Sequence, residues 1–353
     1  MRNTLFTLLL AAVPVAAMAQ APRYTIELLT AAGNQGADIN NSGLVLTNES
    51  HEVGGSWVLS AVFLTPRSRV NLGTLGGTQV FGNELNDIGM AVGRSTLAGD
   101  ATTHAFVYSN GVMQDLGTLG GSNSEAVAVN NAGLVGGNSD IAGGGTRGFL
   151  YSAADGMRDI GTLGGAQSRV IDVSESGTVL GEAQTASGEW RYFLYQDGSM
   201  RDFGSRGSTT WYGMGPNDEV YGAYDWEEKG LQLLTLHNSS WQPPSGMGRP
   251  YDMANGYIVG DHERAVAGVL GTPAGSWPVD ELVDHDGEWW VPEASGVNDA
   301  GQIVGWGCSA VAGCGTVFLN LVPEPATYGM LGAGLGLIAL ARRRKAATAS
   351  RSA

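Results

Sequence analysis

Short apolar runs recur along most of the chain and stop at glycine, asparagine or aspartate, a pattern that predicts strands joined by tight turns. His104-Ala105-Phe106-Val107-Tyr108, Arg147 to Tyr151 and Arg191 to Tyr195 read as strands rich in aromatics. Each meets a turn, at Ser109-Asn110-Gly111, Asp155-Gly156 or Asp197-Gly198. Asn-Gly and Asp-Gly are the hairpin pairs, because both central residues need positive φ. A second series places a turn before a strand that ends in glycine. It runs Asn86-Asp87-Ile88-Gly89-Met90-Ala91-Val92-Gly93 and returns at Asn130 to Gly137, Ser174 to Gly181 and Asn298 to Gly305. Weaker copies are Asn40 to Thr47, Gly215 to Gly222 and Met253 to Gly260. A third element, Leu72-Gly73-Thr74-Leu75-Gly76-Gly77, recurs as Leu116 to Gly121 and Ile160 to Gly165, both times after 44 residues.

The second series closes at positions 47, 93, 137, 181, 222, 260 and 305, with gaps of 46, 44, 44, 41, 38 and 45. One period holds four short strands. The first carries Asp-Leu-Gly-Thr-Leu, the second leads into Asn-x-x-Gly, the third ends in Val-x-Gly and the fourth is aromatic. Four strands in roughly 40–45 residues are the signature of a propeller blade, and one blade cannot bury both of its faces alone. The expected fold is therefore all-β, a seven-bladed β-propeller of ~44-residue four-stranded repeats over residues 20–321. Tyr24 to Leu29 matches a first strand with no aromatic strand ahead of it, and Thr316 to Leu319 is a short aromatic strand without a successor. Their pairing would close the ring and leave no free sheet edge. A parallel β-helix fits less well, since its coils are nearer ~20–30 residues.

Composition narrows the function classes. Glycine accounts for 55 of 353 residues, and 15% are charged against about 25% in an ordinary domain. Hydrophobic residues at 43% are too many for a disordered chain. The formal charge of −15 repels phosphate backbones and argues against a nucleic-acid partner.

The two ends read as addresses. Residues 1–19 have the layout of a secretory signal peptide: Arg2, the apolar Leu5 to Val15, and Ala17-Met18-Ala19 before Gln20. Near the other end, Val322-Pro323-Glu324-Pro325 precedes an apolar run from Tyr328 to Ala341 and the cluster Arg342-Arg343-Arg344-Lys345. The run is shorter than the ~20 residues of a comfortable span, yet a short apolar helix there can cross with snorkelling and local thinning. This segment, 322–345, resembles the PEP-CTERM sorting signal; a short tail, 346–353, follows it. The resemblance implies recognition by an exosortase at the inner membrane of a Gram-negative bacterium. It also implies removal of the tail and release to the cell surface or extracellular matrix; a permanent single-span anchor is the alternative. Without Arg2 and the five tail cations, and without Glu324, 13 basic residues face 33 acidic ones, so the body carries −20. Cys308 and Cys314 suit a local disulfide in an exported protein.

The strand His104-Ala105-Phe106, the stretch Asp115-Leu116-Gly117-Thr118-Leu119-Gly120-Gly121 and the Asn-Asn-x-Gly turn resemble the extracellular HAF repeat, most clearly over residues 70–205. The resemblance implies an exported repeat protein and transfers no catalytic residue.

Candidate chemistry is sparse. No metalloprotease, nucleophile-elbow or P-loop motif is present, and the five histidines show no metal-ligand spacing. No cofactor, metal site or catalytic residue is expected. Eight of nine tryptophans lie between Trp190 and Trp306. The same half holds two acidic-aromatic clusters, one with Tyr221, Tyr224, Asp225 and Trp226, the other with Asp284, Asp286, Trp289 and Trp290. Flat rings with polar handles beside carboxylates suit sugar rings. The expected function is a non-catalytic binding or structural module for exopolysaccharide or surface proteins. The alternative is a polysaccharide hydrolase or lyase that draws its acid and base from Asp225, Glu227, Glu228, Asp284, Asp286 and Glu288.

Overall fold

The computed structural model describes residues 21–31, 36–205, 209–226, 230–236, 247–262, 267–273, 275–283 and 289–322. The expected signal peptide, the apolar run at 328–341 and the end of the chain lie outside them. The first strands are β1 (Tyr24–Thr30), β2 (Gly36–Ile39), β3 (Val45–Val53), β4 (Ser56–Thr65) and β5 (Ser68–Asn71). The most regular periods supply β6 (Gly76–Leu85), β7 (Ala91–Leu97), β8 (Thr103–Ser109) and β9 (Val112–Gly117), then β10 (Gly120–Val129), β11 (Val135–Ile141), β12 (Thr146–Ser152) and β13 (Gly156–Asp159). Next come β14 (Gly164–Val173), β15 (Val179–Thr185), β16 (Trp190–Gln196) and β17 (Ser199–Ser205). The less regular half gives β18 (Thr209–Met214), β19 (Val220–Trp226), β20 (Gly230–Leu236), β21 (Met247–Ala254), β22 (Tyr257–His262), β23 (Gly268–Thr272) and β24 (Gly275–Pro278). A single helical turn, α1 (Val279–Leu282), precedes β25 (Trp289–Val297), β26 (Ile303–Ser309) and β27 (Gly313–Leu321).

These strands build an all-β propeller. Four sheets are four-stranded blades: β10-β11-β12-β13, β14-β15-β16-β17, β21-β22-β23-β24 and β1-β27-β26-β25. A further sheet has three strands, β18-β19-β20, and another has eight, β2-β3-β4-β6-β7-β8-β9 with β5 on β4. The expectation of seven like blades is therefore corrected to four four-stranded ones among the described residues. One cause is visible. A parallel bridge from Leu59 to Gln79, with the Gln79 amide donating to the Trp57 carbonyl at 2.8 Å, runs β4 into β6 and merges two periods.

The chain ends meet in one blade. Strand β1 pairs antiparallel with β27 from Tyr24 opposite Leu321 to Thr30 opposite Thr316, and the Val322 amide donates to the Arg23 carbonyl at 2.7 Å. Tyr24, Val291, Ile303, Val317 and Leu319 are fully buried in the core beneath this clasp. Cys308 and Cys314 form a disulfide across the β26–β27 hairpin.

Packing explains why Val-x-Gly recurs with an aromatic strand. Gly93, Gly137 and Gly181 lie opposite Phe106, Phe149 and Phe193, rings with no exposed surface. A Cβ on Gly137 would stand 2.3 Å from the Glu125 carbonyl oxygen and 2.3 Å from the Phe149 ring. The glycine is thus the floor of the slot that the phenyl ring fills. The residue that opens each aromatic strand also has a partner. His104 Nδ1 lies 2.9 Å from Asp115, Arg147 lies 3.3 Å from Asp159, and Arg191 Nε lies 2.6 Å from Asp202. Each aspartate also accepts the amide N–H two residues on, from Gly117, Gly161 and Gly204. Being exposed, these pairs add little stability; the first two set the turn into Gly-Thr-Leu-Gly-Gly. Among the described residues no helix is long and apolar enough to cross a membrane.

Gly137→Ala is expected to lower unfolding free energy by about 1–3 kcal/mol through overpacking. Urea titration followed by Trp fluorescence checks this; an unchanged midpoint would refute the slot.

Candidate functional site

The innermost strands β2, β6, β10, β14, β18, β21 and β25 all end on one face of the propeller, each in a turn that leads to the second strand of its sheet. Buried asparagines hold four of those turns, at Asn40, Asn86, Asn130 and Asn298. The side-chain oxygen of Asn130 accepts the amides of Ala132 at 3.1 Å and Leu134 at 3.0 Å, which folds the turn locally. Its Nδ2 donates to the Ser174 carbonyl at 3.0 Å, in the corresponding turn 44 residues on. Asn40 donates likewise to Asn86, Asn86 to Asn130, and Asn298 back to Asn40 across 258 residues. A second, exposed tier lies above this ring. Asp87 accepts the Asn41 amide at 2.8 Å, the Asp87 amide donates to Asn131, and the Asn131 amide donates to Glu175 at 3.1 Å. The Asp299 amide donates to the Asn41 side chain at 2.8 Å.

Beneath the ring is a cavity of about 350 Å³. Four acids line it, Asp38, Glu84, Asp172 and Asp252, each two places ahead of a turn residue; the equivalent positions in the other periods are Ala128, Gly213 and Gly296. A bulge precedes each of these positions, as between Gly82 and Glu84 or Val170 and Asp172. Such a bulge re-aims the side chain. Every one of the four carboxylates accepts an N–H from the neighbouring innermost strand: Leu85 on Asp38 at 2.8 Å, Val129 on Glu84 at 3.1 Å, Met214 on Asp172 at 2.6 Å and Val297 on Asp252 at 2.8 Å. Tyr221 joins them, its hydroxyl donating to the Tyr251 carbonyl at 3.3 Å. A Cβ on Gly213 would lie 2.4 Å from that hydroxyl, so the missing side chain makes room for the ring.

Burial dominates the electrostatics. It pushes Asp38 up to about 7, helped by the charge of Asp252, and the bonds from Leu85 and Ile39 offset only part of the rise. Asp172 and Asp252 rise to about 6, again through burial, against two amide donors each. Glu84 is raised well above its ordinary value by burial and then by the charges of Asp172 and Asp38. The same burial raises the Tyr221 phenol. The cavity thus offers carboxyls that gain and lose protons near neutrality, among amide dipoles. Among the described residues no group of three or more His, Cys, Asp or Glu side chains is placed to hold a metal ion.

Of the residues singled out by sequence, Tyr221 lines this cavity. Tyr224, Asp225 and Trp226 continue β19 toward the opposite face, with side chains outside the described ones. Asp284 and Asp286 lie outside the described residues, as do Glu227, Glu228 and Glu288. Trp289 and Trp290 begin β25, also on the opposite face. Trp289 packs on the core of the closing blade, while Trp290 is 44% exposed and meets Trp306 edge to face at 5.9 Å. Sequence reasoning missed Asp38, Glu84, Asp172 and Asp252. The signal was present as an acid recurring two places before the turn. The asparagines were read as turn formers only, although their regular return hinted at a link between periods.

The PEP-CTERM protein-sorting motif matches residues 321–345, the tail and not the repeats. It marks the chain as a substrate for exosortase sorting and as an exported protein, secreted or at the surface of a Gram-negative bacterium. No curated protein matches the chain. Among solved structures, a puromycin hydrolase is similar at 14% identity over 85% of this chain and 52% of its own, with a TM-score of 0.48. A Mycobacterium tuberculosis puromycin-hydrolyzing peptidase gives 15% identity, 88% and 54% coverage and a TM-score of 0.49. A Xanthomonas campestris gluconolactonase gives 11%, 86%, 95% and 0.39. The chain spans about half the length of the first two.

Folded-state values of about 6 to 7 for Asp38, Asp172 and Asp252 exceed the roughly 4 of an unfolded carboxyl. Between those limits the native protein keeps protons that the unfolded chain has released. Their contribution to stability is therefore full below pH ~4 and lost as pH rises through 6 and 7. The melting temperature is expected to be higher at pH 5 than at pH 8, and Asp38→Asn should flatten that slope. Calorimetry across the range checks both; a slope of opposite sign, or one that Asp38→Asn leaves intact, would refute the assignment.

Proposed function

We propose that the chain is a non-catalytic binding module for exopolysaccharide or a surface partner, delivered to the cell surface or matrix. In this reading the signal peptide at 1–19 routes it across the inner membrane. Its tail, with Val322-Pro323-Glu324-Pro325 and Arg342 to Arg344, is held in that membrane until an exosortase removes it. The reading rests on one observation above others, the sorting motif that begins at Leu321, the last residue of the closing strand. Everything ahead of the motif is then one folded body delivered outside.

The cavity favours a ligand rich in hydroxyl groups. Carboxyls, carboxamides and the Tyr221 phenol offer acceptors and donors side by side, the inventory that sugar hydroxyls need. The HAF-like periods provide the scaffold. On the opposite face Trp290 supplies an exposed ring of the kind that stacks on sugars. A hydrolase or lyase is the second reading. It is favoured by protonatable carboxyls that share the cavity with Tyr221, Asp172 and Glu84 rather than the acids first singled out.

Titration of the full chain with the host's exopolysaccharide, followed by calorimetry, tests the proposal. Saturable binding is expected, weakened roughly tenfold by Asp172→Asn or Tyr221→Phe, the cost of one lost hydrogen bond to a buried partner. Absence of binding, or binding indifferent to both changes and to Trp290→Ala, would defeat it. Release of reducing or unsaturated ends that disappears in Asp172→Asn would instead establish the second reading.

A further inference from the structure

The exit point of the tail bears on how the body sits at a membrane. Strand β27 runs from the hairpin at Ser309–Gly313 on the far face to Leu321, opposite Tyr24. Its end lies beside the turn at Asn298–Gln302, and the Gln302 amide donates to Asn320 at 3.0 Å. That turn belongs to the asparagine ring over the cavity. Val322 therefore leaves the body at the rim of the face through which the cavity opens.

Reach then decides orientation. From Val322 to Tyr328, the first residue of the apolar run, the chain spans Pro323-Glu324-Pro325-Ala326-Thr327, about 20 Å when fully extended. The nine residues of β27 rise about 26 Å, and the hairpin carrying Val311 projects beyond them. A linker of that length, starting on the cavity face, is too short to pass the far face.

We propose that, while the tail is attached and its apolar run lies in the membrane, the propeller holds its cavity face toward the bilayer, so that large ligands gain free access to the cavity only once the tail is removed. This rests on the reading of residues 328–341 as membrane-directed. Asp87, Glu175 and Asp299 on that face are exposed; they repel anionic headgroups and keep the gap hydrated, so exclusion acts by size. The far face, with the β3–β4 hairpin bearing Val53 and Trp57, points to the open side.

The test uses the full chain in vesicles of bacterial phospholipid, with a single thiol added at either of two exposed sites. Ile88→Cys lies in a cavity-face turn and Val53→Cys in the far-face hairpin, at positions whose native residues are 68% and 55% exposed. Flotation first reports whether the chain binds the vesicles; failure to float removes the membrane reading and this inference with it. For floated protein, the Ile88→Cys variant should react with a polymer-linked maleimide several-fold more slowly than in detergent solution, and the Val53→Cys variant at an unchanged rate. Equal rates for the two variants, or protection of the far-face thiol instead, would overturn the orientation while leaving the anchor intact. A long Gly/Ser insertion between Val322 and Pro323 should abolish the protection of the cavity-face thiol. Protection that survives the insertion would refute the reach argument.

Discussion

One buried side chain holds the architecture together. Asn130 accepts two amides of its own turn and donates across to the next period, so a single residue shapes the local loop and sets the spacing between sheets. A buried carboxamide that satisfies donors and acceptors on both sides is costly to replace, because every partner is left unpaired away from water. Asn40, Asn86 and Asn298 repeat the arrangement, and the bond from Asn298 to Asn40 joins the last period to the first. Ser174 shows what happens when the side chain is shorter. Its hydroxyl accepts the Thr178 amide at 3.2 Å, which keeps the turn, but it has no carboxamide nitrogen to reach onward. Two of the three weaker copies, Gly215 to Gly222 and Met253 to Gly260, follow it.

The same geometry creates the site. A bulge stands immediately ahead of each turn, and at Asp38, Glu84, Asp172 and Asp252 the residue two places before the turn lines the cavity. An acid there finds an amide N–H from the next innermost strand and loses most of its water. The amides favour the charged form, while burial first and neighbouring carboxyls second oppose it; the upward shifts show that the opposition wins. Where Ala128, Gly213 and Gly296 stand, no further charge is added. A fully acidic ring would raise every carboxyl further, so the incomplete ring keeps the remaining groups within reach of neutral pH.

Much of the fold was legible because its constraints are local and periodic. The glycine opposite Phe149, the Asn-Gly hairpins and the strand lengths each leave a mark within a few residues. The clasp of Tyr24–Thr30 on Gly313–Leu321 was legible too, because the two end strands complement one another. The count of blades was less so. Merging β4 with β6 depends on a parallel bridge at Leu59 and Gln79, which no turn signal announces. The candidate site was the least legible. Asp38, Glu84, Asp172 and Asp252 are scattered over more than two hundred residues and resemble ordinary surface acids in composition. Only the bulge turns them inward, and a bulge is a matter of register between strands. The aromatic clusters drew attention through density, yet Trp289 is spent on the core of the closing blade, and among their described side chains Tyr221 alone lines the cavity.

The closing strand carries two duties at one place. Leu321 is the last residue paired with β1 and the first residue of the sorting motif. The clasp must stay intact for the ring to hold, so processing has to act beyond Val322, whose amide still bonds Arg23. Proline suits that position: it cannot extend the β1–β27 ladder, since it has no amide to donate. The Pro-Glu-Pro element therefore ends the strand at the same point where it begins the address. The fold supplies the stop.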